Sequence, residues 1–80
     1  MNLYEQVVAL VQLHLPQSED ANQLVNRQCQ SHLQIDPNAL SAADIPGLAR
    51  WVGVSASLLI PKEDALILRQ KIEDLANHSS

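Results

Sequence analysis

Phenylalanine is missing from this 80-residue chain, and Tyr4 and Trp51 are its only aromatic residues. Leu, Val, Ile and Ala must therefore fill whatever interior it forms. Its two glycines, Gly47 and Gly53, supply few of the tight turns that a multi-stranded sheet requires. The lone Cys29 excludes an internal disulfide and fits a reducing compartment. No apolar run approaches the ~20 residues of a membrane span, and no basic segment precedes the first apolar run as it would in a secretory leader. A cytoplasmic protein without membrane contact is the expectation. Positive charge is also scarce, with five basic against nine acidic side chains and a net charge of −4. Residues 1–40 carry four acidic side chains and one basic, and residues 41–80 carry five and four, so neither half has the positive excess that non-specific nucleic-acid binding needs.

What is present is helical. Apolar residues make up 46% of the chain and charged ones only 18%, a balance that folds rather than stays disordered. Eighty residues allow one domain. Leu3, Val7, Leu10, Val11 and His14 recur at helical spacing, which predicts a first helix over residues 2–15 that stops at Pro16. Ser18 reads as the N-cap of a second helix, over 18–33, with Ala21, Leu24, Val25, Cys29, His32 and Leu33 on its inner face. Asp36-Pro37 starts a short turn that tucks in Ile35 and Leu40. Ser41 to Asp44 has the form of a capping box with Asp in the Glu position. It opens a third helix over 42–60, whose seam is Ile45, Leu48, Ala49, Val52, Ala56, Leu59 and Ile60. Pro46 is expected to remove one of that helix's hydrogen bonds and bend its start. A fourth helix over 61–77 buries Ala65, Leu68, Ile72, Leu75 and Ala76, pairs Arg69 with Glu73 at i, i+4, and leaves a frayed tail after it. The expected fold is all-α: one small domain of four helices, packed as a compact bundle or an orthogonal array.

The stretch LARWVGVSASLL, residues 48–59, resembles the helix-turn-helix of bacterial repressors. In that reading Ala49 is the small residue of the first helix, Gly53 takes the positive-φ turn position, Ser55 caps the recognition helix and Leu59 anchors it. A DNA-binding regulator is what the resemblance implies. Against it, the recognition helix meets Pro61 after five residues, and its outward Ala56, Ser57 and Leu58 cannot make the bidentate contacts that discriminate bases. The alternative is a continuous helix with Gly53 as a tolerated interior glycine, costing about 1 kcal/mol against Ala.

If the third helix is continuous, a second apolar line appears on it. Gly47, Trp51, Val54 and Leu58 lie well away from the main seam, and a peripheral helix needs only one buried stripe. Trp51, Val54 and Leu58, extended by Ile67 of the fourth helix and rimmed by Arg50 and Lys62, form the candidate partner-binding patch. Trp and Arg are enriched in such anchors. The competing reading makes Trp51 the large core residue of a Phe-free protein.

Chemistry is harder to place. Cys29-x-x-His32 has a metal-ligand spacing, but a structural zinc site needs four ligands, and His14 lies at the far end of the helical hairpin. No orienting Asp or Asn and no glycine-rich loop accompany Cys29 as a nucleophile. In size, acidity and helix count the chain is similar to acyl carrier proteins. It lacks their Asp-Ser-Leu attachment motif, since Ser41 precedes Ala42 and Ser55 and Ser57 stand among Ala, Val and Leu. The resulting expectation is a small non-enzymatic interaction or regulatory domain, with no cofactor, metal or small-molecule substrate. It docks another protein, or a second copy of itself, through the third helix.

Overall fold

The computed structural model describes residues 2–78; Met1, Ser79 and Ser80 lie outside the described residues, and of the tail expected at 77–80, Asn77 and His78 instead continue the fourth helix. Four α-helices make the domain, namely α1 (Leu3–His14), α2 (Ala21–Gln28), α3 (Ile45–Ala56) and α4 (Lys62–His78), and no strand occurs among the described residues. The all-helical four-helix expectation is met. The helices pack into a body of 29 × 22 × 21 Å, with α3 touching α2 and α4 directly and α1 closing the far side against α2 and α4.

The core is the meeting of the four predicted stripes. Val7 and Val11 come from α1, Ala21 and Val25 from α2, Ile45, Leu48, Ala49, Val52 and Ala56 from α3, and Leu68 and Ile72 from α4, all fully buried. Complete burial of a Val, Leu or Ile side chain stabilises by roughly 1.5–3 kcal/mol, so α3, with the longest seam, contributes most. Ile35, Leu40 and Ile60 lie half-buried against this core. Polar ties join α1 to its neighbours. The Gln12 amide bridges the Glu19 carbonyl and the Ala21 N–H, both at 3.3 Å, the Tyr4 hydroxyl donates to the Asn22 carbonyl at 3.1 Å, and Lys71 Nζ donates to His14 Nε2 at 3.4 Å. Burial, with smaller contributions from Cys29 and Asp20, raises the Tyr4 pKa above the ordinary phenol value.

Helix ends differ from the sequence expectation for local reasons. Residues Pro16 to Glu19 form a turn closed by the Glu19 N–H on the Pro16 carbonyl (3.0 Å), so Asp20 and not Ser18 caps α2, accepting from the Gln23 N–H at 3.2 Å. Past Gln28 the helix widens into one π-helical turn, Cys29–Leu33. A 3₁₀ turn, Pro37–Ala39, follows, and a second, Ala42–Asp44, precedes α3. The Asp44 carboxylate accepts from the Ser41 N–H (3.1 Å) and hydroxyl (3.0 Å), the reach-back half of a capping box. Because α3 begins at Ile45, the missing N–H of Pro46 falls among donors that have no intrahelical partner anyway, and no hydrogen bond is lost. At its other end α3 stops at Ala56, four residues short of expectation. The Leu58 and Leu59 N–H groups turn back to the Ser55 and Ala56 carbonyls at 3.2 and 2.9 Å, and this tightening leaves Leu59 outside the core.

The π-turn ends on Gln34, whose φ of 55° and ψ of 42° put it in the left-handed region, alone among the described non-glycine residues. Its N–H and that of Ile35 both return to the Cys29 carbonyl. Glycine is the usual residue at such a helix end. Gln34→Gly is expected to stabilise the domain by about 0.5–1 kcal/mol, the relief of left-handed strain exceeding the added entropy of the unfolded chain. Urea denaturation checks this, and a midpoint that falls contradicts it.

Candidate functional site

The outer face of α3 is the centre of the candidate site, and its two flanks are treated differently. On one flank the π-turn covers the helix. A Cβ on Gly47 would lie 3.2 Å from Leu33 Cδ2, so the absent side chain lets Leu33 rest against the α3 backbone. One turn along, the His32 ring stacks on the Trp51 indole with centroids 3.8 Å apart and planes within 6°. Trp51 is thus half-buried, with one ring face occupied.

On the other flank α3 meets α4 across Gly53. A Cβ there would stand 3.4 Å from Arg69 Cβ and 3.6 Å from its Cδ, so the Arg69 stem lies along the α3 backbone. Beside this contact the helices leave a groove of about 270 Å³, lined on α3 by Arg50, Gly53 and Val54 and at its C-cap by Ser57, and on α4 by Lys62, Ala65, Leu66 and Arg69. Val54 and Leu66, 53% and 54% exposed, form its apolar lip. Three cations and no carboxylate line it. Arg69 Nε is held by Glu73 at 3.1 Å, and this is the one ion pair among the described residues, so Arg50 and Lys62 have no ion-pair partner there. Lys62 also stands in the first turn of α4, at the positive end of the helix dipole, where a cation is disfavoured.

A second groove of about 280 Å³ lies between α2 and the end of α3, with Leu24, Leu58 and Leu59 as its apolar lining and Glu19 and Asp20 at one edge. Leu58 projects there, 85% exposed. Gln28 lines the same groove although only 5% exposed, and its side-chain oxygen has no hydrogen-bond partner.

The sequence-derived patch is therefore divided. Arg50, Val54 and Lys62 share the α3–α4 groove, Leu58 belongs to the second groove, and Trp51 sits on the π-turn flank. Ile67 is half-exposed and lines neither groove, and Leu66 stands in the place expected of it. Leu66 was not singled out by sequence reasoning, and Gly53 and Arg69 enter it only as a turn or interior glycine and as the partner of Glu73, outside the patch. A usable signal existed, because Arg50, Val54 and Ser57 along α3 and its C-cap and Lys62, Leu66 and Arg69 on the next helix follow the same i, i+4, i+7 spacing.

Little in this geometry supports bond-making chemistry. Cys29 is fully buried, and burial, with a smaller contribution from the Asp44 charge, raises its pKa, which keeps it a protonated, unreactive thiol. The His32 ring lies flat on Trp51, and no group of three or more His, Cys, Asp or Glu close enough to hold a metal ion occurs among the described residues. The turn at Gly53 that the helix-turn-helix reading of residues 48–59 needs is not formed. Gly53 and Ser55 lie inside α3, and no glycine has positive φ. No helix among the described residues is long and apolar enough to cross a membrane. No protein-family model, curated protein or solved structure matches the chain.

Trp51 is the only tryptophan, so its emission reports the flank covered by the π-turn. His32→Ala is expected to shift that emission to the red, as water reaches the uncovered indole face, and to lower stability by about 0.5–1.5 kcal/mol. An unchanged spectrum and an unchanged melting temperature contradict the stack.

Proposed function

We propose that this domain works by docking another protein on the outer face of α3 and the groove beside it, with no chemistry of its own. The observation that carries this reading is the Val54–Leu66 lip. Two large aliphatic side chains, each about half exposed, stand side by side at the junction of the two most extensively packed helices. Scattered single apolar residues on a surface require no explanation, whereas adjacent ones bordering a groove with a polar rim mark interaction sites. Arg50 and Lys62 supply that rim. At about 270 Å³ the groove is below the usual 300–1,000 Å³ of small-molecule sites and suits inserted side chains of a partner better than a free ligand. Trp51 contributes by fixing the π-turn against α3 and so holding the face rigid. A regulatory or adaptor role in the cytoplasm fits a chain whose lone thiol is buried and has no need of a disulfide partner.

The test is site-specific photo-crosslinking in the source cells. A photoreactive residue at position 54 or 66 is expected to give one defined adduct with another protein, absent when the same residue replaces Leu13, an equally apolar and 81% exposed position on α1. An adduct of twice the chain's mass identifies the partner as a second copy. Adducts that are the same from all three positions, or none from position 54, contradict the reading.

A further inference from the structure

The groove between α3 and α4 has a charge at odds with the rest of the chain. Acidic side chains outnumber basic ones nine to five overall, yet three of those five, Arg50, Lys62 and Arg69, line this one groove and no carboxylate does. The acidic residues nearest in sequence leave Arg50 and Lys62 without an ion pair. Glu73 is engaged with Arg69, and Glu63 and Asp64, in the first turn of α4, are not among the lining residues. Between the cations the lining is apolar, with buried Gly53 and Ala65 at the floor and half-exposed Val54 and Leu66 at the lip. Along α3 and its C-cap the lining runs from residue 50 to 57 and along α4 from 62 to 69, about 10 Å on each side at 1.5 Å per residue. That length is two turns of a helix, which presents an apolar stripe at i, i+3/i+4 and i+7.

We infer that the α3–α4 groove is the seat of an acidic amphipathic helix from a partner protein; the inference rests on the docking function proposed above and gives the partner its chemistry. Leucine-like side chains of the guest lie between Val54 and Leu66, and its carboxylates meet Arg50 and Lys62. Arg50 and Lys62 are the selective element. Outside the groove nine acidic side chains face two basic ones, so an acidic guest is drawn here over the rest of the surface, and charge sets where and how fast it lands while the apolar lining holds it. Duplex DNA would satisfy the cations, but has no use for the apolar lip.

The experiment titrates the full chain against three fluorescein-labelled helical peptides of about 15 residues, the length at which isolated helices begin to hold. All three carry one leucine stripe, and their remaining positions are dominated by Glu, Gln or Lys; a duplex DNA oligomer is the fourth probe. The Glu peptide is expected to bind at least about tenfold more tightly than the Lys peptide, with an affinity that falls as salt is raised. Arg50→Glu combined with Lys62→Glu is expected to reverse the order, and Val54→Asp to abolish binding of the Glu peptide. Because residues 50, 54 and 62 are all exposed, circular dichroism is expected to show unchanged helix content in these variants. Equal binding of the three peptides, lost in Val54→Asp, overturns the acidic partner and leaves the docking function standing. Binding of no peptide, or preference for DNA indifferent to Val54→Asp, also overturns it. An empty crosslink at position 54 then removes the docking function as well.

Discussion

Everything in this domain depends on α3 burying one complete face. Ile45, Leu48, Ala49, Val52 and Ala56 are each sealed from water, in a core whose buried residues include no aromatic ring and against which Tyr4 packs only partly buried. In a domain so small, with about 60% of its unfolded surface removed on folding, one such seam is a large fraction of the stabilising area. Small residues make the arrangement possible. Ala49 and Ala56 keep the seam narrow, and Gly47 lets Leu33 come within 3.2 Å of where a Cβ would stand, whereas a Cβ at Gly53 would meet the Arg69 stem at ordinary contact distance. Only Gly47 thus serves a close approach, and neither glycine adopts a conformation that requires glycine.

Close packing of α3 on one face defines what is left on the other. The π-turn after α2 covers the Gly47 and Trp51 side and hands it to the structural frame, through the His32 stack. The α4 side stays open, because two helices touching at Gly53 leave a furrow on the solvent side of that contact. Function is therefore proposed for the flank where Val54 and Leu66 stand half-exposed and Arg50 and Lys62 have no ion-pair partner. On the flank that holds the tryptophan, the His32 ring already covers one face of the indole.

Most of the fold was legible in the sequence, since helical periodicity reports burial on one face and prolines report ends. Every fully buried α3 side chain lies on the predicted seam, and the Arg69–Glu73 pair and the Ser41–Asp44 contact appear as expected. The misses share a cause, which is that periodicity assumes an ideal helix running to its proline. The π-turn breaks the 3.6-residue repeat after Gln28 and swings His32 onto Trp51, and nothing in the residue types at 29–33 announces it. The tightening turn at the end of α3 likewise removes Leu59 from the seam. At the candidate site the apolar line along α3 was visible, but which residue of α4 faces it depends on the packing angle of the two helices. That angle selects Leu66 over its neighbour Ile67.

Native-state amide hydrogen exchange across residues 52–57 tests the central claim, that α3 is one unbroken helix with a buried and an exposed face. A continuous α3 predicts that the amides of Gly53, Val54, Ser55 and Ala56 exchange only through global unfolding, as slowly as those of Leu68 and Ile72 in α4. Fast exchange confined to residues 53–56, with Leu68 and Ile72 still protected, would place a turn at Gly53 and contradict both the seam and the groove built on it.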